Sequence, residues 1–285
     1  MVETLLLENA HLRMRVALLG AAVLSLDSLA YQQPILRTGK GEKPGDCGLF
    51  PMLPLANRVA GNRFVLQGRD ITLPESPTDA QFFLHGDGWH LLWEVAEQSR
   101  EHCLLRLRQR HACGFDYQAE LSYRLRDNAL EIGLSLEHLG DQPMLYGGGV
   151  HPYFHFTPQS QIQFSASGYW PEGESHLPLG WTSTLSTSAD FTQAQHGTDE
   201  WLNVCYSGWN GIAEITHEQM SVTLLSPTCW LMLFRMPGEP FVCLEPQTHP
   251  VNAHNITDQP GLVMLAKGNK WRFSTCILVK SHKTC

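Results

Sequence analysis

The chain has 285 residues, of which 43% are hydrophobic and 17% charged, a composition that allows a large buried core and excludes a disordered protein. The formal net charge is -8 and the 20 Lys and Arg residues are scattered, which excludes a basic stripe able to neutralise a nucleic acid backbone. We therefore expect a globular protein with no nucleic acid partner.

Cysteine usage and apolar runs bear on the cellular compartment. The eight cysteines lie far apart and form no CxxC pair, so we interpret them as reduced, mostly buried thiols of a cytoplasmic protein. The apolar run at residues 16–24 is too short to span a membrane. Because it lies behind Glu3 and Glu8, we interpret it as a buried strand interrupted at Gly20 rather than as a targeting segment. We expect no membrane partner.

Further along the chain, the dominant pattern has a period of two. Residues 117–126 and 130–136 alternate apolar and polar side chains around the turn Asp127-Asn128, which predicts a β-hairpin with one solvent-facing side. Other short runs with strand character lie at residues 104–108, 162–166, 212–216, 220–225, 231–235, 241–245 and 271–279. No segment has an apolar stripe with helical spacing, and no linker marks a boundary. We therefore predict an all-β fold, a large antiparallel β-sandwich, with residues 1–285 as a single domain.

A carboxylate follows the apolar run at residues 241–245. Strand alternation places Cys243 and Glu245 on one face, and Pro246 is expected to hold Glu245 extended and to end the strand. A carboxyl group beside apolar neighbours has a raised pKa and can act as a general base. Two structural alternatives remain: a solvated glutamate at a strand end, or an ion pair between Glu245 and Arg58.

A histidine comes shortly after three consecutive glycines at residues 147–149. Pro152 should hold His151 extended, and the glycines let another group approach the backbone closely. An imidazole titrates near neutrality, so it can donate a proton and recover it within one turnover. A structural histidine is the alternative, because the chain contains 14 histidines.

Two further segments combine polar, aromatic and glycine residues. Arg58 follows Asn57 in an apolar setting, so its guanidinium needs a carboxylate or ligand oxygens as partners. His85 lies in a glycine-punctuated turn, and Trp89 or Phe154 could stack on the apolar face of a sugar ring. Each of these aromatic residues has a core position as its alternative.

Several common catalytic motifs are absent. The sequence contains no GxGxxG or GxxxxGK[ST] phosphate loop, no HExxH metal motif and no GxSxG nucleophile elbow. We therefore expect neither a nucleotide cofactor nor a metal ion.

Taken in chain order, these segments resemble the aldose 1-epimerase family, also called galactose mutarotases. The matching motifs are Asn57-Arg58, His85-Gly86, His151-Pro152-Tyr153-Phe154 and Leu244-Glu245-Pro246-Gln247, in the family's order and at similar spacings. The resemblance covers residues 12–279 and is nearest to uncharacterised bacterial members. It implies a galactose mutarotase-like supersandwich whose concave sheet binds a sugar.

The resemblance also implies roles for individual residues. Glu245 matches the family's general base and His151 its general acid. The other matched residues are expected to contact the substrate: Asn57, Arg58, His85, Tyr153 and Phe154.

One position departs from the family pattern. Where mutarotases usually place an aspartate on the sugar, this chain has Asn203, within residues 201–206. An amide offers one acceptor and one donor group, whereas a carboxylate only accepts. We therefore expect Asn203 to contact the sugar with a weaker hold on ordinary hexoses, and Asn203→Asp to tighten it.

The implied function is aldose 1-epimerisation of a free sugar, with two alternatives. A hexose 6-phosphate 1-epimerase needs additional cationic groups, for which Arg63, Arg69 and Arg235 are candidates. A non-catalytic carbohydrate-binding domain would keep the pocket without turnover. The presence of both Glu245 and His151 argues against that second alternative, because binding alone does not require an acid/base pair.

Overall fold

The computed structural model describes residues 3–197 and 200–281, which form 23 strands and four short 3₁₀ helices. In chain order the strands are β1 (Thr4–Glu8), β2 (Leu12–Ala17), β3 (Val23–Ser28), β4 (Gln33–Pro34), β5 (Leu49–Met52), β6 (Arg63–Leu66), β7 (Arg69–Thr72), β8 (Glu94–Gln98), β9 (His102–Arg110), β10 (Asp116–Arg126), β11 (Ala129–His138), β12 (Met144–Tyr146), β13 (Gly149–His155), β14 (Gln161–Phe164), β15 (Gly168–Trp170), β16 (Gln195–His196), β17 (Leu202–Ser207), β18 (Ile212–Thr216), β19 (Met220–Leu225), β20 (Trp230–Arg235), β21 (Phe241–Gln247), β22 (Val263–Leu265) and β23 (Lys270–Ser281). The 3₁₀ helices are Ala60–Asn62, Glu174–His176, Thr187–Ala189 and Ala253–Asn255. Within the described residues, no helix is long and apolar enough to cross a membrane.

Two large antiparallel sheets contain most of the strands. The first has the order β1-β2-β3-β5-β13-β21-β20-β17-β15, with β4 paired to β3, and the second has the order β16-β14-β18-β19-β23-β11-β10-β9-β8. One hydrophobic cluster takes side chains from both sheets, including Leu244 of β21 and Leu134 of β11. The predicted all-β antiparallel sandwich is confirmed.

The predicted hairpin is confirmed as β10 and β11. Its strands pair from Tyr117 opposite His138 to Arg126 opposite Ala129, with Asp127 in the turn at a φ of 50°. Asp tolerates this left-handed conformation better than most residues, which explains the turn signal in the sequence.

Two strand boundaries differ from the sequence prediction. Residues 16–24 are not one interrupted strand, because β2 ends at Ala17 and β3 begins at Val23, with a turn between them. Gly20 in that turn has a φ of 69°, and a Cβ there would lie 2.1 Å from the Trp89 carbonyl oxygen, so this position requires glycine.

Pro246 does not end its strand, because β21 continues to Gln247. The proline removes one backbone donor, but its neighbours Glu245 and Gln247 still pair with Met232 and Trp230 of β20. Glu245 therefore lies inside the first sheet rather than at a frayed strand end, and the solvated-glutamate alternative is wrong.

The seven cysteines within the described residues are free thiols. Cys47, Cys103, Cys205 and Cys243 are buried, Cys229 is exposed, and the other two are intermediate.

Candidate active site

The outer face of the first sheet carries an open cleft of about 550 Å³. Strand alternation explains its lining: Val150 of β13 and Leu244 of β21 point into the core, so the next residue on each strand, His151 and Glu245, points into the cleft. Seven of the eight residues predicted from the sequence line this cleft: Asn57, Arg58, His85, His151, Tyr153, Asn203 and Glu245. A volume of this size lies in the range of small-molecule sites.

The two predicted acid/base residues meet at the buried end of the cleft. His151 Nε2 lies 3.1 Å from Glu245 Oε1, and the two side chains are only 8% and 2% exposed. The second carboxylate oxygen, Glu245 Oε2, is buried without a hydrogen-bond partner among the described residues. A buried acceptor of this kind is costly unless a ligand uses it.

Burial changes the protonation of this pair in opposite directions. It raises the pKa of Glu245 to about 8, an effect that the Arg58 guanidinium partly offsets. It lowers the pKa of His151 to about 3, with a further lowering from Arg37 and Arg58. Near neutral pH the pair therefore binds one proton in total, and the direct contact lets that proton reside on either residue.

A stack of rings fixes the plane of the His151 imidazole. The Phe50 and Tyr153 rings both stack on it, each with its centre 4.6 Å from the imidazole centre. The Arg37 guanidinium lies 3.7 Å from the centre of the Tyr153 ring and donates to the Gly45 and Cys47 carbonyls. His151 is therefore held with Nε2 toward Glu245.

His85 lies in an edge-to-face arrangement with His151, at 5.2 Å between ring centres. Its Nδ1 accepts the backbone N–H of Asn57 at 3.1 Å, so in the neutral ring Nε2 carries the proton and is the free donor. Burial lowers the pKa of His85 well below its usual value, with a smaller contribution from His151, so the ring is neutral. His85 is built to donate a hydrogen bond to a ligand oxygen.

His85, His151 and Glu245 could be considered as a metal site, because one ligand atom from each lies within 4.8 Å of the others. However, His85 Nδ1 already accepts a backbone N–H, which leaves Nε2 protonated and without a lone pair for a metal. The donor set therefore fits a hydrogen-bonded ligand better than a metal ion.

Arg58 is positioned by the chain that follows β21. Its carbonyl accepts the Asn252 N–H at 2.9 Å, and the Asn252 side chain accepts the Ala60 N–H at 2.9 Å. Arg58 is not in an ion pair with Glu245, whose partner is His151, so the ion-pair alternative is wrong. The buried Arg58 Nε has no partner among the described residues, which leaves it for ligand oxygens.

Asn203 of β17 lines the same cleft as Glu245 of β21, with β20 between the two strands. Its amide Nδ2 donates to Glu172 Oε1, and Trp201 Nε1 donates to Glu172 Oε2 at 2.7 Å. His176 Nδ1 is also within hydrogen-bonding distance of Glu172. Glu172 was not predicted from the sequence, because nothing in its local pattern distinguishes it from an ordinary loop carboxylate.

The prediction for Phe154 needs correction. Phe154 is 1% exposed and belongs to the core between the sheets, not to the cleft. Because side chains alternate along β13, His151 and Tyr153 face the cleft and the next residue must face away. The motif matched, but alternation forbids the predicted contact.

Other cleft residues carried little sequence signal. Arg37 and Lys43 come from the segment between β4 and β5, and Met232 and Phe234 come from β20. Alternation from Asn203 could have found Trp201, which is two residues earlier. The arginines that were proposed for a phosphate, Arg63, Arg69 and Arg235, do not line the cleft.

Comparisons with known proteins show the family of this chain. The family model described as aldose 1-epimerase matches residues 3–277. Among curated proteins, the uncharacterised Escherichia coli K12 protein YphB is 35% identical over 250 residues, which cover 82% of this chain and 85% of YphB. The aldose 1-epimerase of the same organism is 29% identical over 160 residues, which cover 52% of this chain and 45% of the enzyme.

Solved structures show the same fold. A crystal structure of an Escherichia coli K12 protein, described there as a proposed aldose 1-epimerase, has a TM-score of 0.93 and 31% identity, and the match covers 99% of this chain and 100% of that one. Galactose 1-epimerase from Lactobacillus acidophilus has a TM-score of 0.80 at 17% identity, covering 98% and 94% of the two chains.

Proposed function

Because the chain belongs to the aldose 1-epimerase family, we propose that it interconverts the α and β anomers of a free aldose, as an isomerase that uses Glu245 and His151. The observation that carries the proposal is the buried 3.1 Å contact between these two side chains at the end of an open cleft. A protein that only binds sugar does not need such a pair. Burial of a carboxyl group is unfavourable, so binding alone would not explain its presence here.

The reaction requires two coordinated proton transfers. Glu245 takes the proton of the anomeric hydroxyl while His151 gives a proton to the ring oxygen, and the bond between C1 and the ring oxygen breaks to leave an aldehyde. Rotation about the C1–C2 bond presents the other face of the aldehyde to the ring hydroxyl. Closure returns both protons, with the roles of the two residues reversed.

The single proton of the buried pair suits this cycle. When it lies on His151, Glu245 is a base and His151 is an acid, as ring opening requires. After opening, the proton is on Glu245 and the imidazole is neutral, as closure requires. The net charge of the site stays constant throughout, which suits a site that excludes water.

Other cleft residues are proposed to hold the sugar. His85 Nε2 and the Arg58 guanidinium are donors that can bind sugar oxygens near the reacting carbon. Met232 and Phe234 provide an apolar floor for the C–H face of the ring. Asn57 and Tyr153 are proposed to position these groups. Asn57 contacts His85 and Arg58, and Tyr153 stacks on His151.

A hexose 6-phosphate is a second candidate substrate. Arg37 and the exposed Lys43 line one rim of the cleft, where they could bind a phosphate. Asp46 on the same rim and the engagement of Arg37 with two carbonyls weaken this candidate.

The proposed setting is the cytoplasm. The free, dispersed cysteines of the described residues suit a reducing compartment.

Polarimetry on a panel of freshly dissolved aldoses and hexose 6-phosphates tests the proposal. We expect acceleration over the buffer rate for at least one free aldose. Acceleration only for phosphates would favour the second candidate. Binding of a sugar without acceleration would favour a carbohydrate-binding domain.

A further inference from the structure

Glu172 lies in the loop that follows β15, behind the wall of the cleft. Its two oxygens accept from Asn203 and Trp201, and His176 also contacts it. These three partners line the cleft, while Glu172 itself is only 20% exposed. Burial raises the pKa of Glu172, but the hydrogen bonds from Asn203, His176 and Trp201 outweigh that effect and lower it, so the group is ionised.

The Glu172 contact fixes the orientation of the Asn203 amide. An ionised carboxylate can only accept, so the group that faces Glu172 must be the amide NH₂. The carbonyl oxygen of Asn203 then remains as an acceptor. This answers a question that the sequence left open, since an isolated asparagine could present either end to a ligand.

The sheet register places this acceptor away from the reacting centre. Asn203 of β17 is opposite Phe234 of β20, which is opposite Cys243 of β21, two residues from Glu245. Two strand spacings of about 4.8 Å separate the backbones of β17 and β21. A sugar whose anomeric carbon lies at Glu245 would cross β20 and direct its far hydroxyl groups toward Asn203.

We propose that Glu172 is a positioning residue that sets sugar selection in this cleft: it holds the Asn203 oxygen as a fixed acceptor and anchors Trp201, so that the far end of the site takes a hydroxyl donor. The inference rests on the proposed function for the identity of the ligand. An acceptor backed by a carboxylate repels a phosphate or carboxylate at that position.

This arrangement reverses the effect expected for Asn203→Asp. The substitution brings two carboxylates into contact, and like charges at that distance force one of them to take up a proton or both to move apart. Asn203→Asp alone should therefore weaken sugar binding. Adding Glu172→Gln should restore it, because the amide introduced at position 172 can donate to the carboxylate introduced at position 203.

The test compares wild type, Asn203→Asp, Glu172→Gln and the double variant on an accepted free aldose. We expect KM to rise about 10- to 100-fold in Asn203→Asp, the range for a lost charged hydrogen bond, with kcat much less affected. In the double variant KM should return to within about threefold of wild type, which a merely structural role would not produce. Glu174→Gln, an exposed carboxylate in the same loop, is the matched control and should leave KM unchanged.

Tighter binding by Asn203→Asp alone, or a double variant no better than that single one, would overturn the inference. If wild type turns over no sugar, the same four proteins are compared by sugar titration in NMR, so failure of the proposed activity is seen separately. Absence of sugar binding by wild type would overturn both proposals.

Discussion

At the residue scale, the acid/base pair depends on neighbours that take no part in proton transfer. Phe50 and Tyr153 hold the imidazole plane of His151, and Arg37 covers the Tyr153 ring. Their burial of the pair causes the opposed pKa shifts of His151 and Glu245. The site therefore works as one titrating unit.

This unit predicts the pH dependence of kcat/KM, which reports the free enzyme. The pair loses its one proton as pH rises through about 8, the raised pKa of Glu245, and gains a second only near pH 3, the lowered pKa of His151. The rate should be level between about pH 5 and 7 and should fall above about pH 8. Initial rates by polarimetry, corrected for the buffer rate, measure this. A rate that keeps rising to pH 9 would mean that Glu245 acts alone as a simple base.

The sequence could predict much of this residue set but not its partners. Glu245 and His151 were identifiable because proline and glycine mark their local backbone and because the family motifs match. Arg37 and Glu172 were not, since their roles arise from contacts across loops with no local pattern. The sequence alone also led to the opposite expectation for Asn203→Asp from the one proposed above, because the Glu172 contact is long-range.

At the element scale, strand alternation explains both the successes and the errors. Period-two patterns predicted β10, β11 and β19 closely. The same rule, applied along β13, would have excluded Phe154 from the cleft. The run at residues 16–24 was misread because an apolar hairpin, whose turn is buried as well, looks like one strand.

The turn that contains His85 requires glycine at position 86, which can be tested. Gly86 has a φ of 69°, and a Cβ there would lie 1.9 Å from the Leu53 carbonyl oxygen. Gly86→Ala should therefore destabilise the fold by more than the roughly 1–2 kcal/mol of left-handed strain alone, and it should lower turnover by displacing His85. Urea unfolding and kcat/KM measure the two effects.

The matched control is Gly68→Ala. Gly68 has a φ of 76°, and nothing lies within 4 Å of a Cβ there, so only the backbone strain remains. Equal losses of stability in the two variants would show that the close approach to Leu53 is unimportant.

At the scale of the whole molecule, one core joins both sheets, which supports the proposal of a single domain. The same burial encloses three histidines outside the acid/base pair and lowers their pKa values: His85, His249 and His254. Each stays neutral in the fold but gains a proton in the unfolded chain below about pH 6.5. Stability from these groups is therefore present above pH 6.5 and lost as pH falls below it.

We predict that the free energy of unfolding falls between pH 7 and 5.5, by up to about 1.4 kcal/mol per buried histidine. His254→Phe should reduce that loss, since neither ring nitrogen of His254 has a partner among the described residues and the ring packs on Phe64. Denaturant unfolding of both proteins at the two pH values measures this loss in the free energy of unfolding. The control His11→Phe changes an exposed ring and should leave the pH dependence unchanged. An equal acid loss in wild type and His254→Phe would contradict the assignment.

The most direct test of the account is the rate of anomer exchange in Glu245→Gln and His151→Ala, measured by polarimetry on a free aldose that wild type accepts. Each variant should lose about 10²- to 10⁴-fold in kcat, the range for a positioned acid or base, while remaining folded. His155→Ala, on the same strand but outside the cleft lining, should keep the wild-type rate. Near wild-type rates in both folded active-site variants would contradict the assignment of Glu245 and His151 as the catalytic pair.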